Sequence, residues 1–342
     1  MNTARRRFLQ SALVGLASLG TTALMGCKKS HEVTVYTSVD QVFSNPIFRD
    51  FEAKSGMTVR AVFDTEETKS TGVLNRLIAE ANHPQADVFW SGDPVRPLVL
   101  VQRELVQPYL APNAASVPAA FRGADGTWTG SAARARVLLV NKNKVAAGEA
   151  PRSIRDLANP RWKGQCAMAN PLFGTTTMHV AALFSVWGEA KAQAFLNELK
   201  ANQVRIASSN GEVKRLVAAG EVAFGLSDTD DAHEALEEKA PIDVVYPDQD
   251  DALGTLIMPT SVILMKGAPH LEEAKKLVDY LVSAEVERKM AELAAHMPLR
   301  ADVPVPQGVR RASELRSMQV DYAKVASAME ANQPWLRQWS GI

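Results

Sequence analysis

The chain has 342 residues, of which 46% are hydrophobic and 22% are charged, and it carries 38 basic and 38 acidic side chains. This composition is typical of a soluble globular protein. Because no basic stripe is present to displace counterions from a phosphate backbone, we do not expect nucleic acid as a partner. Roughly 315 residues follow the N-terminal segment described next, enough for two domains of about 150 residues each.

Residues 1–27 are organised like an export signal. Arginines at 5–7 precede an apolar run over 12–25, which is too short to remain as a membrane span. The run Leu24-Met25-Gly26-Cys27 resembles the bacterial lipobox, so we expect a cleaved signal peptide and a lipid on Cys27. The Arg-Arg-x-Phe-Leu pattern also resembles a twin-arginine signal, which implies export in the folded state. The alternative is a buried N-terminal helix. With Cys27 acylated, Cys166 is expected to be a lone buried thiol.

Short β-branched runs alternate with amphipathic runs from residue 33 onward, which predicts a doubly wound α/β sheet. In this first part, strands are predicted over 33–37, 59–63 and 86–90, and helices over 46–54 and 72–81. Gly56 supplies the stop of the first helix. Turn residues at 91–94 follow the third strand.

The middle of the chain begins a second α/β unit. Residues 133–141 form an apolar strand long enough to leave one domain and enter another. Strands are then predicted over 165–168, 204–207, 222–226 and 243–247, and helices over 178–199, 211–219 and 232–238. Residues 254–265 are predicted to cross back to the first unit. Helices follow over 272–282 and 284–293. The layout predicts one lobe from 31–131 with 254–342, and an inserted lobe from 132–253.

Two crossings between α/β lobes create a cleft that can hinge. Ligands of such sheets bind outside the carboxyl ends of the strands, so the loops after the strands are the candidate binding residues. In the first lobe these are Ser38 and Asp40, Glu66, and Ser91, which follow successive strands. Carboxylates there suit a ligand with a cationic or hydroxylated end; the alternative for Glu66 is a solvated charged loop.

Several runs in these positions are similar to extracellular solute-binding proteins of bacterial ABC importers, in the branch of ferric-iron, thiamine, phosphonate and sugar-phosphate binders. In chain order they are VYTS at 35–38, FEAKSG at 51–56, PQADVF at 84–89, SNGEV at 209–213, GEVAFGL at 220–226 and KGAPH at 266–270. The resemblance implies a two-lobe periplasmic-binding-protein fold of type II. It also implies a monomer without cofactor or enzymatic activity, which is tethered outside the cytoplasmic membrane and delivers a small solute to a permease and ATPase complex.

The run Gly174-Thr175-Thr176-Thr177 precedes the helix predicted from Met178. Glycine permits close backbone approach, and unpaired amides, hydroxyls and the helix dipole suit phosphate, phosphonate or carboxylate. An ordinary N-cap with turn threonines is the alternative. Residues 208–211 offer similar geometry before the next helix, where simple capping is favoured.

Arg134 and Arg136 lie two apart on the crossing strand and therefore point to one face, which we expect to border the cleft. A guanidinium could hold an anion through two hydrogen bonds. Pairing with a nearby acid is the alternative for both residues.

The run Ser227-Asp228-Thr229-Asp230-Asp231 follows a predicted strand. In the iron-binding branch this loop normally carries adjacent tyrosines that hold ferric ion, whereas here carboxylates replace them and none of the five tyrosines are adjacent. Asp228 or Asp230 could instead receive an ammonium group or sugar hydroxyls. For Asp231, helix capping is favoured. The six histidines lack metal-ligand spacing, so no metal site is predicted.

These observations predict a lipoprotein that binds a small anionic solute, such as a phosphonate, a phosphate ester or an organic acid, for import. Ferric iron held by carboxylates and a synergistic anion is one alternative. An exported enzyme acting on a phosphorylated metabolite is another, although no nucleophile and base pair supports it. A purely structural envelope lipoprotein would not require two hinged lobes.

Overall fold

A computed structural model describes residues 31–64, 71–250, 253–305 and 308–341. Two residues singled out from the sequence, Cys27 and Glu66, lie outside these ranges, as do the export signal and its lipobox. Within the described ranges, no helix combines the length and apolar character needed to cross a membrane.

The strands and helices of the described residues alternate along most of the chain, as the sequence predicts. The strands are β1 (Glu32–Thr37), β2 (Thr58–Phe63), β3 (Val88–Ser91), β4 (Thr129–Asn141), β5 (Cys166–Ala169), β6 (Arg205–Ala207), β7 (Phe224–Asp228), β8 (Ile242–Val245) and β9 (Ile257–Leu264). The helices are α1 (Gln41–Ser55), α2 (Thr71–Ala79), α3 (Val95–Gln102), α4 (Gly174–Trp187), α5 (Glu189–Ala201), α6 (Asn210–Ala218), α7 (Thr229–Glu237), α8 (Leu271–Leu281), α9 (Ala284–Ala294) and α10 (Tyr322–Ser340).

Strand β4 joins two groups of parallel strands. The strand order is β2-β1-β3-β9-β4-β7-β5-β6, and β8 also pairs with β4. The first half of β4 pairs with β9, and its second half, from Arg136 onward, pairs with β7 and β8. All residues of β4 are buried, because the strand is covered along its whole length. This agrees with the strand predicted over 133–141.

Several helices differ from the sequence prediction. The helix predicted over 178–199 is two helices, α4 and α5, which are separated at Gly188, and α7 begins at Thr229 rather than at 232. Helix α3 is not among the predicted helices.

Helix α1 begins at Gln41, so Pro46 lies inside it rather than at its start, while Gly56 ends it in a left-handed conformation at φ 69°. Burial of the apolar side of α1, including Ile47 and Phe48, offsets the hydrogen bond that proline cannot donate. Helix α4 begins at Gly174, so the predicted glycine-threonine loop forms its first turn.

The C-terminal helix α10, which the sequence left unplaced, packs on both α3 and α4. The ring of Trp335 meets Phe184 of α4 edge-on, with 6.0 Å between centroids. Near its other end, the Ala323 carbonyl accepts a 3.0 Å hydrogen bond from the Gln102 side chain of α3. Helix α10 therefore links elements that precede β4 with elements that follow it.

Cys166 is a free thiol with no exposed surface, as predicted. Burial raises the pKa of the thiol to about 12, so the protonated, unreactive form is favoured at neutral pH.

Replacement of Leu138 tests whether β4 is the central packing element. Leu138 is fully buried where β4 pairs with β7 and β8. We expect Leu138→Ala to lower the free energy of unfolding by about 2–5 kcal/mol because it leaves a cavity. The matched variant Leu236→Ala, at a leucine that is 48% exposed, should change it by less than about 0.5 kcal/mol. Urea denaturation measures both, and equal effects would contradict this role of β4.

Candidate functional site

A cavity of about 760 Å³ lies at the carboxyl ends of the strands, where ligands of α/β sheets bind. Its walls come from parts of the chain before and after β4. They are formed by residues within 38–42, 173–175, 208–215 and 228–238, together with Arg134 and Ala169. These stretches follow β1, β5, β6 and β7.

Four helices begin on the wall of this cavity: α1, α4, α6 and α7. The first N–H groups of a helix have no partner within the helix, and the helix dipole adds partial positive charge there. In α6, the Ser209 hydroxyl caps the helix by accepting a 3.1 Å hydrogen bond from the Glu212 amide. In α1, α4 and α7, the N-cap side chain accepts no such hydrogen bond. Three helix N-termini therefore face the cavity without a hydrogen bond to the N-cap side chain, although in α7 the Asp230 carboxylate accepts a 3.1 Å hydrogen bond from the Asp231 amide.

A buried ion pair lies at the cavity wall, with Asp228 in the lining and Arg136 behind it. The Arg136 guanidinium has no exposed surface and donates to the Asp228 carboxylate at the end of β7. It also donates to the Thr175 hydroxyl at 2.8 Å and to the Thr176 hydroxyl at 3.1 Å. Thr175 in turn donates to Asp228 at 2.7 Å. This network ties the start of α4 to the junction of β4 and β7.

Asn210, the first residue of α6, completes the same network. Its amide nitrogen donates to the Thr175 hydroxyl at 2.8 Å and to an Asp228 oxygen at 3.2 Å. Its amide oxygen accepts a hydrogen bond from Thr176 at 3.2 Å. The starts of α4, α6 and α7 are thus held around one buried carboxylate.

Arg134 lines the cavity and is neutralised by neighbouring acids. Its guanidinium donates to Asp230 at 2.9 Å, to Asp228 at 3.4 Å and to the Gly92 carbonyl at 2.7 Å. Burial by itself would lower the pKa of Arg134, but the carboxylates of Asp230 and Asp228 raise it by more. Burial likewise opposes the charge of Asp230, and Arg134 nevertheless holds the Asp230 pKa below its usual range. Both side chains are therefore charged at neutral pH.

The outer wall of the cavity also carries charged side chains from α6 and α7. The Lys214 ammonium pairs with Glu234 at 2.7 Å and lies 3.7 Å from Glu238. Arg215 is exposed and forms no ion pair with the residues that the structure describes. Asp231 accepts a 2.7 Å hydrogen bond from the Ser227 hydroxyl.

The acids of the lining outnumber the cations. Three cationic side chains face the cavity, namely Arg134, Lys214 and Arg215. The six carboxylates are Asp40, Asp228, Asp230, Asp231, Glu234 and Glu238. Helix N-termini therefore add positive potential to a wall rich in carboxylates, which act as hydrogen-bond acceptors only.

The buried pair Asp93 and Arg96 supports the cavity from α3. Both side chains are 1% exposed, and the Asp93 carboxylate accepts hydrogen bonds from the Arg96 guanidinium and from the first amides of α3. Arg96 also donates to the Gly174 carbonyl at 3.3 Å. The first turn of α4 is thereby attached to an element that precedes β4.

The structure brings most of the predicted binding residues together. Those on the cavity wall are Ser38, Asp40, Arg134, Gly174, Thr175, Asp228 and Asp230. Those buried outside the lining are Ser91, Arg136, Thr176 and Thr177. The pairing of both arginines with acids, weighed as an alternative, is present. Capping by Ser209 is also present, as favoured from the sequence.

Sequence reasoning missed several residues of the site. Asn210 was interpreted only as part of a helix cap, although its side chain joins the buried network. Lys214 and Arg215 were not singled out, although they lie one helical turn beyond Asn210 and Gly211. The i, i+4 spacing from 210 and 211 was the signal that could have placed them on the same helix face.

None of the five tyrosines of the chain lines the cavity. Oxygen atoms of Asp228, Asp230 and Asp231 lie within 4.8 Å of one another, a spacing that could hold a metal ion. Two of these three carboxylates already pair with the guanidinium groups of Arg134 and Arg136. A cation at this corner would compete with both arginines.

A family model of bacterial extracellular solute-binding proteins matches residues 84–325, and the chain belongs to this family. Members act as the solute-binding components of ABC importers. The recognition made from the sequence motifs is thus confirmed.

Two curated relatives resemble the chain over nearly its whole length. Iron uptake protein A1 of Synechocystis is 27% identical over 349 residues, with 95% of each chain covered. A periplasmic protein of Salmonella typhimurium, whose name assigns it to 2-aminoethylphosphonate binding, is 27% identical over 338 residues, with 96% of this chain and 93% of the relative covered. The names of these relatives point to different solutes.

The fold is also similar to that of solved structures. Iron-bound HitA from Pseudomonas aeruginosa superposes with a TM-score of 0.81 at 24% identity, covering 91% of this chain and 99% of that one. The chain therefore has the type II periplasmic-binding-protein fold, as predicted.

Two buried histidines lie beside the charged network. Burial, assisted by Arg134, lowers the pKa of His296 to about 4. Burial, assisted by Arg136, lowers the pKa of His179 to about 3. Both are neutral in the folded protein at neutral pH, and neither ring nitrogen of His179 has a hydrogen-bond partner among the described residues.

We expect the free energy of unfolding to decrease as the pH falls from about 6.5 towards 4. In this window the unfolded chain binds protons on these histidines and the folded chain does not, so each contributes up to about 1.4 kcal/mol per pH unit. His296→Gln should flatten this dependence, whereas His83→Gln, at an exposed histidine, should not. Urea denaturation at stepped pH measures the slope, and an unchanged slope for His296→Gln would contradict the assignment.

Proposed function

We propose that the protein captures a small organic anion, such as a phosphonate or a phosphate ester, in this cavity and delivers it to a membrane permease. The observation that carries the proposal is the convergence of four helix N-termini on one cavity, three of them without a hydrogen bond to the N-cap side chain. Backbone amides and aligned helix dipoles at such positions stabilise phosphate and carboxylate groups. The proposed role is binding, not catalysis.

The ligand should also carry hydrogen-bond donors. A bare anion would meet six carboxylates on the cavity wall, and two of the three cations of the lining, Arg134 and Lys214, are already paired with acids. An ammonium or hydroxyl group on the ligand would interact favourably with Asp230 or Asp231 while the anionic group meets the helix N-termini. Zwitterionic phosphonates and hydroxylated phosphate esters have this arrangement.

We further propose that the cavity lies between two lobes, with residues 31–131 and 254–342 in one and residues 132–253 in the other. Binding of the solute would favour the closed arrangement, which the permease and ATPase complex would recognise. The lipobox-like run ending at Cys27 supports attachment of the mature monomer to the outer side of the cytoplasmic membrane by a lipid anchor.

Ferric iron is a second candidate. The close oxygen atoms of Asp228, Asp230 and Asp231 are hard ligands suited to such a cation, and a synergistic anion could occupy the helix N-termini. An iron uptake protein and a ferric iron-binding protein are also among the relatives. Against this candidate, Arg134 and Arg136 already occupy two of these carboxylates, and no tyrosine faces the cavity.

Titration calorimetry with inorganic phosphate, 2-aminoethylphosphonate, fructose 6-phosphate and ferric citrate tests the proposal. We expect 2-aminoethylphosphonate or fructose 6-phosphate to bind more tightly than phosphate. Arg215→Ala should weaken binding about tenfold, because the variant removes a charged hydrogen-bond donor from the wall. The matched variant Arg205→Ala, at an exposed arginine of β6 paired with Glu221, should bind like the wild type.

Metal analysis of protein produced under iron-replete conditions separates the two candidates. Stoichiometric iron, or binding of ferric citrate alone, would contradict the proposal in favour of ferric uptake. If Arg205→Ala and Arg215→Ala weaken ligand binding equally, the proposal that the ligand binds in this cavity would be contradicted.

A further inference from the structure

Gly211 lies on the cavity wall in the first turn of α6, yet its backbone does not require glycine. Its φ is outside the left-handed region, in which several other glycines of the chain lie. Gly174, the other glycine of the lining, differs because it adopts φ 58°, a conformation that disfavours side chains.

Packing within the protein does not require glycine at this position either. A Cβ atom at Gly211 would lie 3.8 Å from the Ser209 hydroxyl, 4.0 Å from an Arg215 guanidinium nitrogen and 4.0 Å from an Asp231 oxygen, all ordinary contact distances. At Gly225 of β7, by contrast, a Cβ atom would lie 2.4 Å from a Val213 methyl group. Core packing therefore requires glycine at position 225, but it does not require glycine at position 211.

Glycine in a helix is also less favourable than alanine, because a glycine residue loses more conformational freedom than an alanine residue when the chain folds. The absence of a side chain at position 211 therefore does not stabilise the folded protein. What the absence provides is open space on the cavity wall, bordered by a hydroxyl, a guanidinium and a carboxylate.

We propose that Gly211 is a specificity-determining residue, whose missing side chain admits the polar end of the ligand between Arg215 and Asp231. This inference rests on the proposed function of the cavity. The guanidinium is a hydrogen-bond donor only and the carboxylate an acceptor only, so the part of the ligand between them must carry both an acceptor and a donor. An organic anion whose phosphonate or phosphate oxygen accepts from Arg215, while its ammonium or hydroxyl group donates to Asp231, meets this requirement.

The variant Gly211→Ala tests the inference, because it adds one methyl group to this opening. Calorimetry with 2-aminoethylphosphonate and fructose 6-phosphate identifies the ligand that the wild type binds. The variant should bind that ligand at least tenfold more weakly than the wild type does. Thermal unfolding of the ligand-free variant should occur at the wild-type temperature or above it. The matched control Ala218→Gly, at the other end of α6 and outside the lining, should unfold at a lower temperature and bind like the wild type.

Wild-type affinity in Gly211→Ala would overturn the inference, since the opening would then be empty in the complex. A lower unfolding temperature for this variant would also overturn it, because the glycine would then serve the fold. Failure of the proposed function looks different: the wild type itself would bind neither 2-aminoethylphosphonate nor fructose 6-phosphate.

Discussion

Arg136 and Asp228 face each other where β4 meets β7, and neither side chain has more than 2% of its surface exposed. A buried ion pair is stable only if further hydrogen bonds satisfy its remaining donors and acceptors. Here these come from Thr175 and Thr176 of α4 and from Asn210 of α6. The need to satisfy one buried carboxylate therefore fixes where three helices begin, and those helix starts form much of the cavity wall.

Much of the fold could be predicted from local sequence patterns. Strand β1, the stop of α1 at Gly56 and the crossing strand β4 each follow from residues adjacent in the chain. The spacing of Arg134 and Arg136 correctly indicated a shared direction, because side chains alternate along a strand. Their partners could not be predicted in this way, since the pairing depends on the register between β4 and β7, in which Arg136 lies opposite Asp228, 92 residues further along the chain.

The parts that were missed depend on tertiary contacts. Asn210 has the sequence pattern of an ordinary helix start, and only the approach of α4 shows that its side chain serves the network. Nothing in the sequence of helix α10 indicates that it packs against α3 and α4. The start of α1 was misplaced because proline usually marks a first turn, whereas burial of Phe43 and Ile47 extends the helix towards the cavity.

The family has relatives named for iron and for an aminophosphonate, so the fold alone does not select the solute. In this chain the corner after β7 carries carboxylates neutralised by two arginines, beside helix N-termini that lack side-chain caps. A crystal structure of the complex with 2-aminoethylphosphonate tests this account most directly. We predict the phosphonate on the first amides of α4, where no side chain caps the helix, and the amine beside Asp231. Phosphonate density outside the cavity, or an amine directed away from the carboxylates, would contradict it.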